Sequence, residues 1–221
     1  MNPLFFLFIS VILPQMEIRA VIFDLDGTLL DTLEDIADSM NRVLTRVGID
    51  PQPTECYKDH VGRGVHNMVK SVLTKAGKPA LDTDLSGLIE AFSKEYALGW
   101  RIKTRPYKGI IKLLEILKKD YGLKTGILSN KPHDFVEIMV KEFFPSCTFE
   151  AVFGAREGYP IKPDPAVPVK IAELLSAEPS KVLFVGDSPG DIATALNSGM
   201  IPLGVSWGFR PKEELLSSGS L

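Results

Sequence analysis

A chain of 221 residues with a net charge of −3, 45% hydrophobic and 24% charged, has the length of one globular domain or of one domain carrying an insertion. The near-neutral balance gives no electrostatic reason for binding nucleic acid or an anionic membrane surface. The two cysteines, Cys56 and Cys147, lie far apart in no metal-ligand spacing and point to a reducing cytoplasm.

The chain opens with an apolar run, Leu4–Leu13, about half the roughly 20 residues that a bilayer span needs. Two readings stand: an extension upstream of a natural start at Met16, or an export or anchor segment. No basic residue precedes the run and no small-x-small site follows it, which favours the first and sets residues 1–15 apart. The next run, Arg19–Asp24, is continuous and apolar, as buried parallel strands are. It ends in Asp24-Leu25-Asp26-Gly27-Thr28. Strand side chains alternate, so Asp24 and Asp26 can share a side while Leu25 enters the core. Gly27 allows an immediate turn. Such a pair can divide labour between nucleophile and proton donor, and it offers oxygen ligands to a hard cation.

From Thr32 to Trp100 only helical periodicity is found. Ile36, Met40, Val43, Leu44 and Val47 form one stripe; Val65, Met68, Val69 and Val72 a second; Leu88, Phe92 and Tyr96 a third. Gly48-Ile49-Asp50-Pro51 and Arg105-Pro106 read as turns near its edges. A helical insertion here would stand over the tip of the first strand. Further strands are expected at Lys124–Leu128, Ala151–Phe153, Lys181–Val185 and Pro202–Val205, alternating with helices at Ile110–Lys119, Phe135–Phe143, Ala166–Leu175 and Ile192–Asn197. This alternation predicts an α/β fold, a doubly wound parallel sheet whose ligand lies beyond the carboxyl ends of the strands. The expected division is a core of residues 16–31 and 101–221 with an inserted small α-helical cap of residues 32–100. Ser217-Ser218-Gly219-Ser220 are expected to fray.

Four strand ends carry polar residues able to meet above the sheet: Asp24/Asp26/Thr28, Ser129-Asn130-Lys131, Lys162-Pro163-Asp164-Pro165, and Gly186-Asp187-Ser188-Pro189-Gly190-Asp191. Carboxylates, a hydroxyl and a cation together suit Mg²⁺-dependent phosphoryl transfer. Each motif also has a plainer reading. Asp-Gly-Thr makes an ordinary turn, Ser129-Asn130 ends a strand and caps a helix, Lys162 alone is a solvated lysine, and Asp191 charges a helix N-terminus. His60, His66 and His133 lack metal-site spacing and are expected to face solvent. Trp207, Phe209 and Cys56 are expected to serve packing.

In order and spacing these four motifs resemble the haloacid dehalogenase-like hydrolase superfamily, from Arg19 to about Pro211. Ser129-Asn130-Lys131-Pro132, Lys162-Pro163-Asp164-Pro165 and Trp207-Gly208-Phe209-Arg210 are most similar to its phosphoglycolate phosphatase branch. The resemblance implies that Asp24 attacks phosphorus, that Asp26 exchanges a proton with the leaving group and then with water, that Ser129 bonds the phosphoryl oxygens, and that Lys162 neutralises their charge. It implies Mg²⁺ on Asp24, Asp187 and the Asp26 carbonyl, with Asp191 bound directly or through water, and Thr28 shaping the loop. Members that cleave carbon–halogen bonds lack the acid at position 26, so Asp26 favours phosphoryl transfer. Asn130 is a further substrate candidate. Arg63, in Gly62-Arg63-Gly64, either pairs with a substrate carboxylate or sits on a surface turn. The expected substrate is a small phosphorylated metabolite, first 2-phosphoglycolate, with a monomer or homodimer. A sugar-phosphate mutase, a pyrophosphatase or nucleotidase, and a binding module without catalysis are the rival readings.

Overall fold

A computed structural model describes residues 17–78 and 82–221. The apolar extension expected at 1–15 lies outside the described residues. Seven strands are found among those residues: β1 Ala20–Phe23, β2 Leu30–Asp31, β3 Arg105–Pro106, β4 Lys124–Pro132, β5 Ala151–Ala155, β6 Val182–Gly186 and β7 Ile201–Gly204. The longer helices are α1 Leu33–Arg46, α2 Val65–Lys75, α3 Asp82–Gly99, α4 Ile110–Lys119, α5 His133–Phe143, α6 Ala166–Leu174, α7 Pro189–Asn197 and α8 Lys212–Ser217.

Five strands form a parallel sheet in the order β5-β4-β1-β6-β7. The central strand β1 is buried on both faces, which explains its unbroken apolar sequence. Val21 and Phe23 pack with Ile110, Leu113 and Leu117 of α4 and Val136 and Met139 of α5. Ala20 and Ile22 pack against Val167 and Ile171 of α6 and Ala195 of α7. The sheet is thus covered on both faces, and the connections diverge on either side of β1, the place where such sheets bind ligands.

Several boundaries differ from expectation, each for a local reason. β4 runs on through Ser129-Asn130-Lys131-Pro132, with a register irregularity against β5 after Leu128. These polar residues are buried because the site supplies partners for them. α7 begins at Pro189, not Ile192, because Ser188 and Asp191 form a reciprocal capping box. Arg105-Pro106, expected as a turn, pairs antiparallel with Leu30–Asp31 in a ladder too short to leave a periodic signal. The C-terminal residues are tied down rather than frayed: the Ser220 hydroxyl accepts from Gly204 N at 2.6 Å and Leu221 N donates to Pro202 O at 3.2 Å.

Between β2 and β3 the chain is helical. Ile36, Met40 and Val43 of α1, Val69 and Val72 of α2, and Phe92 and Tyr96 of α3 share one apolar cluster, joined by Phe209 from the far end of the chain. Arg210 also crosses, donating to Glu214 at 2.8 and 2.9 Å and to Asp59 at 2.8 Å. Asp35 anchors the return of the chain by accepting from Lys103 N, Thr104 N and the Thr104 hydroxyl at 2.8–3.0 Å. Among the described residues no helix is long and apolar enough to cross a membrane.

Candidate active site

The site grows from the carboxyl end of β1. Asp24 extends the ladder by one bond, its N–H donating to Val185 O at 2.9 Å. The chain then closes tightly: Leu29 N and Leu30 N both donate to Leu25 O, and Leu25 is fully buried. Gly27 takes φ +89° and leaves no room for a side chain, since a Cβ there would lie 2.3 Å from Asp187 Oδ2. This close approach lets the carboxylates after β1 and β6 meet.

Asp24, Asp187 and Asp191 each offer an oxygen within 4.8 Å of the others, and all three are buried. Lys162 Nζ reaches in from the segment between β5 and α6, 2.7 Å from Asp24 Oδ1 and 2.6 Å from Asp191 Oδ1. Asp191 Oδ2 accepts from Ser188 N at 3.0 Å and from the Ser188 hydroxyl at 2.6 Å, so both of its oxygens are engaged. Asp187 Oδ2 accepts from Phe209 N at 2.7 Å. Two residues along from Asp24, Asp26 pairs with a different ammonium, Lys131 Nζ, at 3.1 and 3.2 Å.

The electrostatics follow from burial. Four buried carboxyl groups (Asp24, Asp26, Asp187, Asp191) face two buried ammonium groups (Lys131, Lys162), a formal excess of two negative charges when all four are ionised. Burial raises the Asp24 carboxyl to about 7 despite the opposing pull of Lys162. Burial, then the charges of Asp191 and Asp24, pushes Asp187 well above the ordinary carboxylate range. Lys162 is raised as well: desolvation opposes its charge, but the carboxylates of Asp191 and Asp24 outweigh it and hold the ammonium charged. A cluster of hard oxygen donors with two surplus negative charges fits a divalent cation.

The remaining sequence candidates fall in different places. Ser129 is buried, lines the same cavity as Asp24 and Asp26, and accepts from Lys131 N at 3.3 Å. Asn130 braces the walls: its amide donates to Gly62 O at 3.0 Å and Lys162 O at 3.2 Å, and its carbonyl accepts from Lys162 N at 2.8 Å. Thr28 is fully buried behind Asp187, 3.4 Å from Oδ1, and lines neither the cavity nor the cleft beside it. Arg63 is exposed and lines only the outer cleft beside Lys162, on a turn, and is not brought to Asp26. His60, expected in solvent, is buried, its Nδ1 2.6 Å from the Ser71 hydroxyl, because the helical segment folds over it. His133 is half-buried: its Nδ1 accepts from Gly154 N at 3.2 Å and its Nε2 lies 2.8 Å from Arg156 Nη1. His66 is exposed.

A cavity of about 40 Å³ lies against Asp24, Asp26 and Ser129, closed by Val61, Val65, Met68 and Phe92 of the helical segment. Two of its side chains escaped sequence reasoning. Lys131 stood in a motif with no cue that it would be buried against Asp26. Tyr96 stood in an apolar stripe with no cue that its side chain would line a site.

A parallel sheet with an acidic, lysine-buttressed tip defines a hydrolase class, and the sequence profile of the haloacid dehalogenase-like hydrolases matches residues 21–205. The chain belongs to that family. Similar relatives include a phosphoglycolate phosphatase of Psychrobacter arcticus, 31% identical over 90% of this chain and 88% of its own length. One of Aquifex aeolicus is 32% identical over 86% of each. A candidate phosphoglycolate phosphatase from Lactobacillus delbrueckii subsp. bulgaricus has the same fold, with a TM-score of 0.87 and 31% identity over 92% of both chains. Within the family the chain stands in this phosphoglycolate phosphatase-like branch and is an enzyme of the phosphatase type.

Proposed function

We propose that the protein is a Mg²⁺-dependent phosphatase that hydrolyses a small phosphate monoester, with 2-phosphoglycolate the leading substrate. The observation that carries this reading is the convergence of Asp24, Asp187 and Asp191 within 4.8 Å, with Lys162 between two of them. The names of the relatives support the substrate. The cavity of about 40 Å³ favours a small leaving group over a hexose or a nucleoside.

The roles divide by position. Asp24, at the strand tip, attacks phosphorus; the new bond is carboxyl oxygen to phosphorus, and the ester P–O bond breaks. Asp26, facing the same cavity, enters the step protonated and gives that proton to the departing alkoxide. It then takes one from the water that hydrolyses the aspartyl-phosphate, so phosphate leaves and both carboxyls return to their starting state. Lys162 holds Asp24 in place and offsets the charge of the phosphoryl oxygens. Ser129 donates to those oxygens. Asp24, through the oxygen that Lys162 leaves free, and Asp187, through the oxygen that Thr28 touches only at 3.4 Å, would hold the cation with the Asp26 carbonyl. Asp191, both of whose oxygens are engaged, would reach it through water. Bound there, the cation would screen the dianionic ester from the anionic nucleophile.

Residues 32–100 are proposed as a cap whose apolar side chains exclude bulk water from the cavity. Free Cys56 and Cys147 support a cytoplasmic location. The test is Asp24→Asn. Phosphate release from p-nitrophenyl phosphate should be EDTA-sensitive in the wild type and fall about a thousandfold in the variant with folding intact. Release that ignores EDTA, or that persists in Asp24→Asn, refutes the reading.

A further inference from the structure

If the leaving group carries a carboxylate, some cation must receive it. Arg63 lines the outer cleft and not the cavity beside Asp26. The cavity beside Asp26 has its own basic residue, and Lys131 is the single Lys or Arg among its described lining residues. Its ammonium donates to both oxygens of Asp26 and lies 4.5 Å above the centre of the Tyr96 ring. An ammonium has three donors, so one is left without a carboxylate partner.

The Tyr96 hydroxyl is the second observation. Tyr96 is 2% exposed, its side chain lines the same cavity, and its hydroxyl has no well-formed hydrogen bond among the described residues, the Lys131 ammonium being a weak partner beside it. A buried hydroxyl without a well-formed hydrogen bond is destabilising, and such groups in native proteins call for an explanation. The rest of the cavity wall is largely apolar, with Ile36, Val65, Met68 and Phe135 among its residues. Apolar walls weaken solvent screening and strengthen a single ion pair.

We propose that Lys131 and Tyr96 form an anion subsite that binds a carboxylate on the leaving group. One oxygen accepts a hydrogen bond from the spare ammonium N–H and the other from the phenolic O–H. A substrate with an anionic group at each end then meets a separate ammonium at each, Lys162 beside the nucleophile and Lys131 beside the acid. The small volume of the cavity, about 40 Å³, suits a short leaving group. The inference rests on the phosphatase reading above and deepens it by assigning the residues that select the substrate.

The test compares kcat/KM for 2-phosphoglycolate and ethyl phosphate, which has the same two-carbon chain with a methyl in place of the carboxylate. The wild type should prefer 2-phosphoglycolate about 100-fold. Lys131→Met should cut that preference about 30-fold, and Tyr96→Phe, which keeps the ring, about fivefold. Arg63→Ala should move it less than either. A role exerted only through Asp26 would slow both esters equally and leave the ratio unchanged, which overturns the proposal, as does a larger effect of Arg63→Ala. If circular dichroism shows that Lys131→Met does not fold, Tyr96→Phe decides, and an unchanged ratio there also overturns it. Wild-type turnover of ethyl phosphate without any preference sinks the subsite alone. No turnover of any ester sinks the phosphatase reading and the subsite with it.

Discussion

Lys162→Met isolates the charge that holds the acidic cluster together. Methionine keeps much of the stem and removes the ammonium, which lies 2.7 Å from Asp24 and 2.6 Å from Asp191 with all three side chains almost wholly buried. Two charge-assisted hydrogen bonds disappear, and two carboxylates are left unpaired beside Asp187. Breaking a buried ion pair by removing one partner destabilises by about 3–5 kcal/mol, against a total stability of about 5–15 kcal/mol for a native protein. Urea unfolding of the full chain in EDTA at about pH 7.5 should therefore show a loss of about 3–5 kcal/mol with an unchanged m-value. The loss should shrink on acidification, because the orphaned carboxyls can take up protons instead. It should shrink again when Mg²⁺ replaces EDTA. A loss under about 1 kcal/mol, the range of exposed ion pairs, or one that grows as pH falls, would refute the reasoning.

Gly27→Ala should weaken divalent-cation binding about tenfold or more by calorimetry, since its Cβ would lie 2.3 Å from Asp187 Oδ2 at φ +89°; the left-handed backbone alone costs about 1–2 kcal/mol. Unchanged affinity would show that Asp187 does not hold the ion. Wild-type stability should also depend on pH in a definite direction. Burial raises Asp24 to about 7 and Asp187 well above its ordinary range, so between about pH 4 and pH 7 the folded chain holds more protons than the unfolded one. Metal-free stability should fall as pH rises through that window, while stabilisation by Mg²⁺ should be greater at about pH 8 than at about pH 5. Melting temperatures in EDTA and in Mg²⁺ at the two pH values check both signs.

Much of the fold is legible in one dimension, for reasons that β1 and α4 illustrate. A strand buried on both faces must be apolar throughout, so Ala20–Phe23 announces a central parallel strand. Ile110–Lys119 buries one face, so its spacing gives both ends of the helix. The β2–β3 pair has two residues in each strand and no period to read. The polar end of β4 reads as a loop because nothing nearby in the sequence says that Ser129, Asn130 and Lys131 will find partners. His60 misleads for the same reason: its burial is the work of a helical segment folded over it.

The site divides along the same line. Its chemical types, and the sharing of one cavity by Asp24 and Asp26 with Leu25 in the core, follow from alternation and turn chemistry, which act over a few residues. The pairing of ammonium with carboxylate does not. Lys162 meets Asp24 across 138 positions and Lys131 meets Asp26 across 105. Those partnerships come from the order in which strands lie side by side, and the closure of the cavity around Tyr96 from the helical segment packed over the strand ends. Local spacing can name the reactive groups, but topology alone decides which opposite charges are buried together.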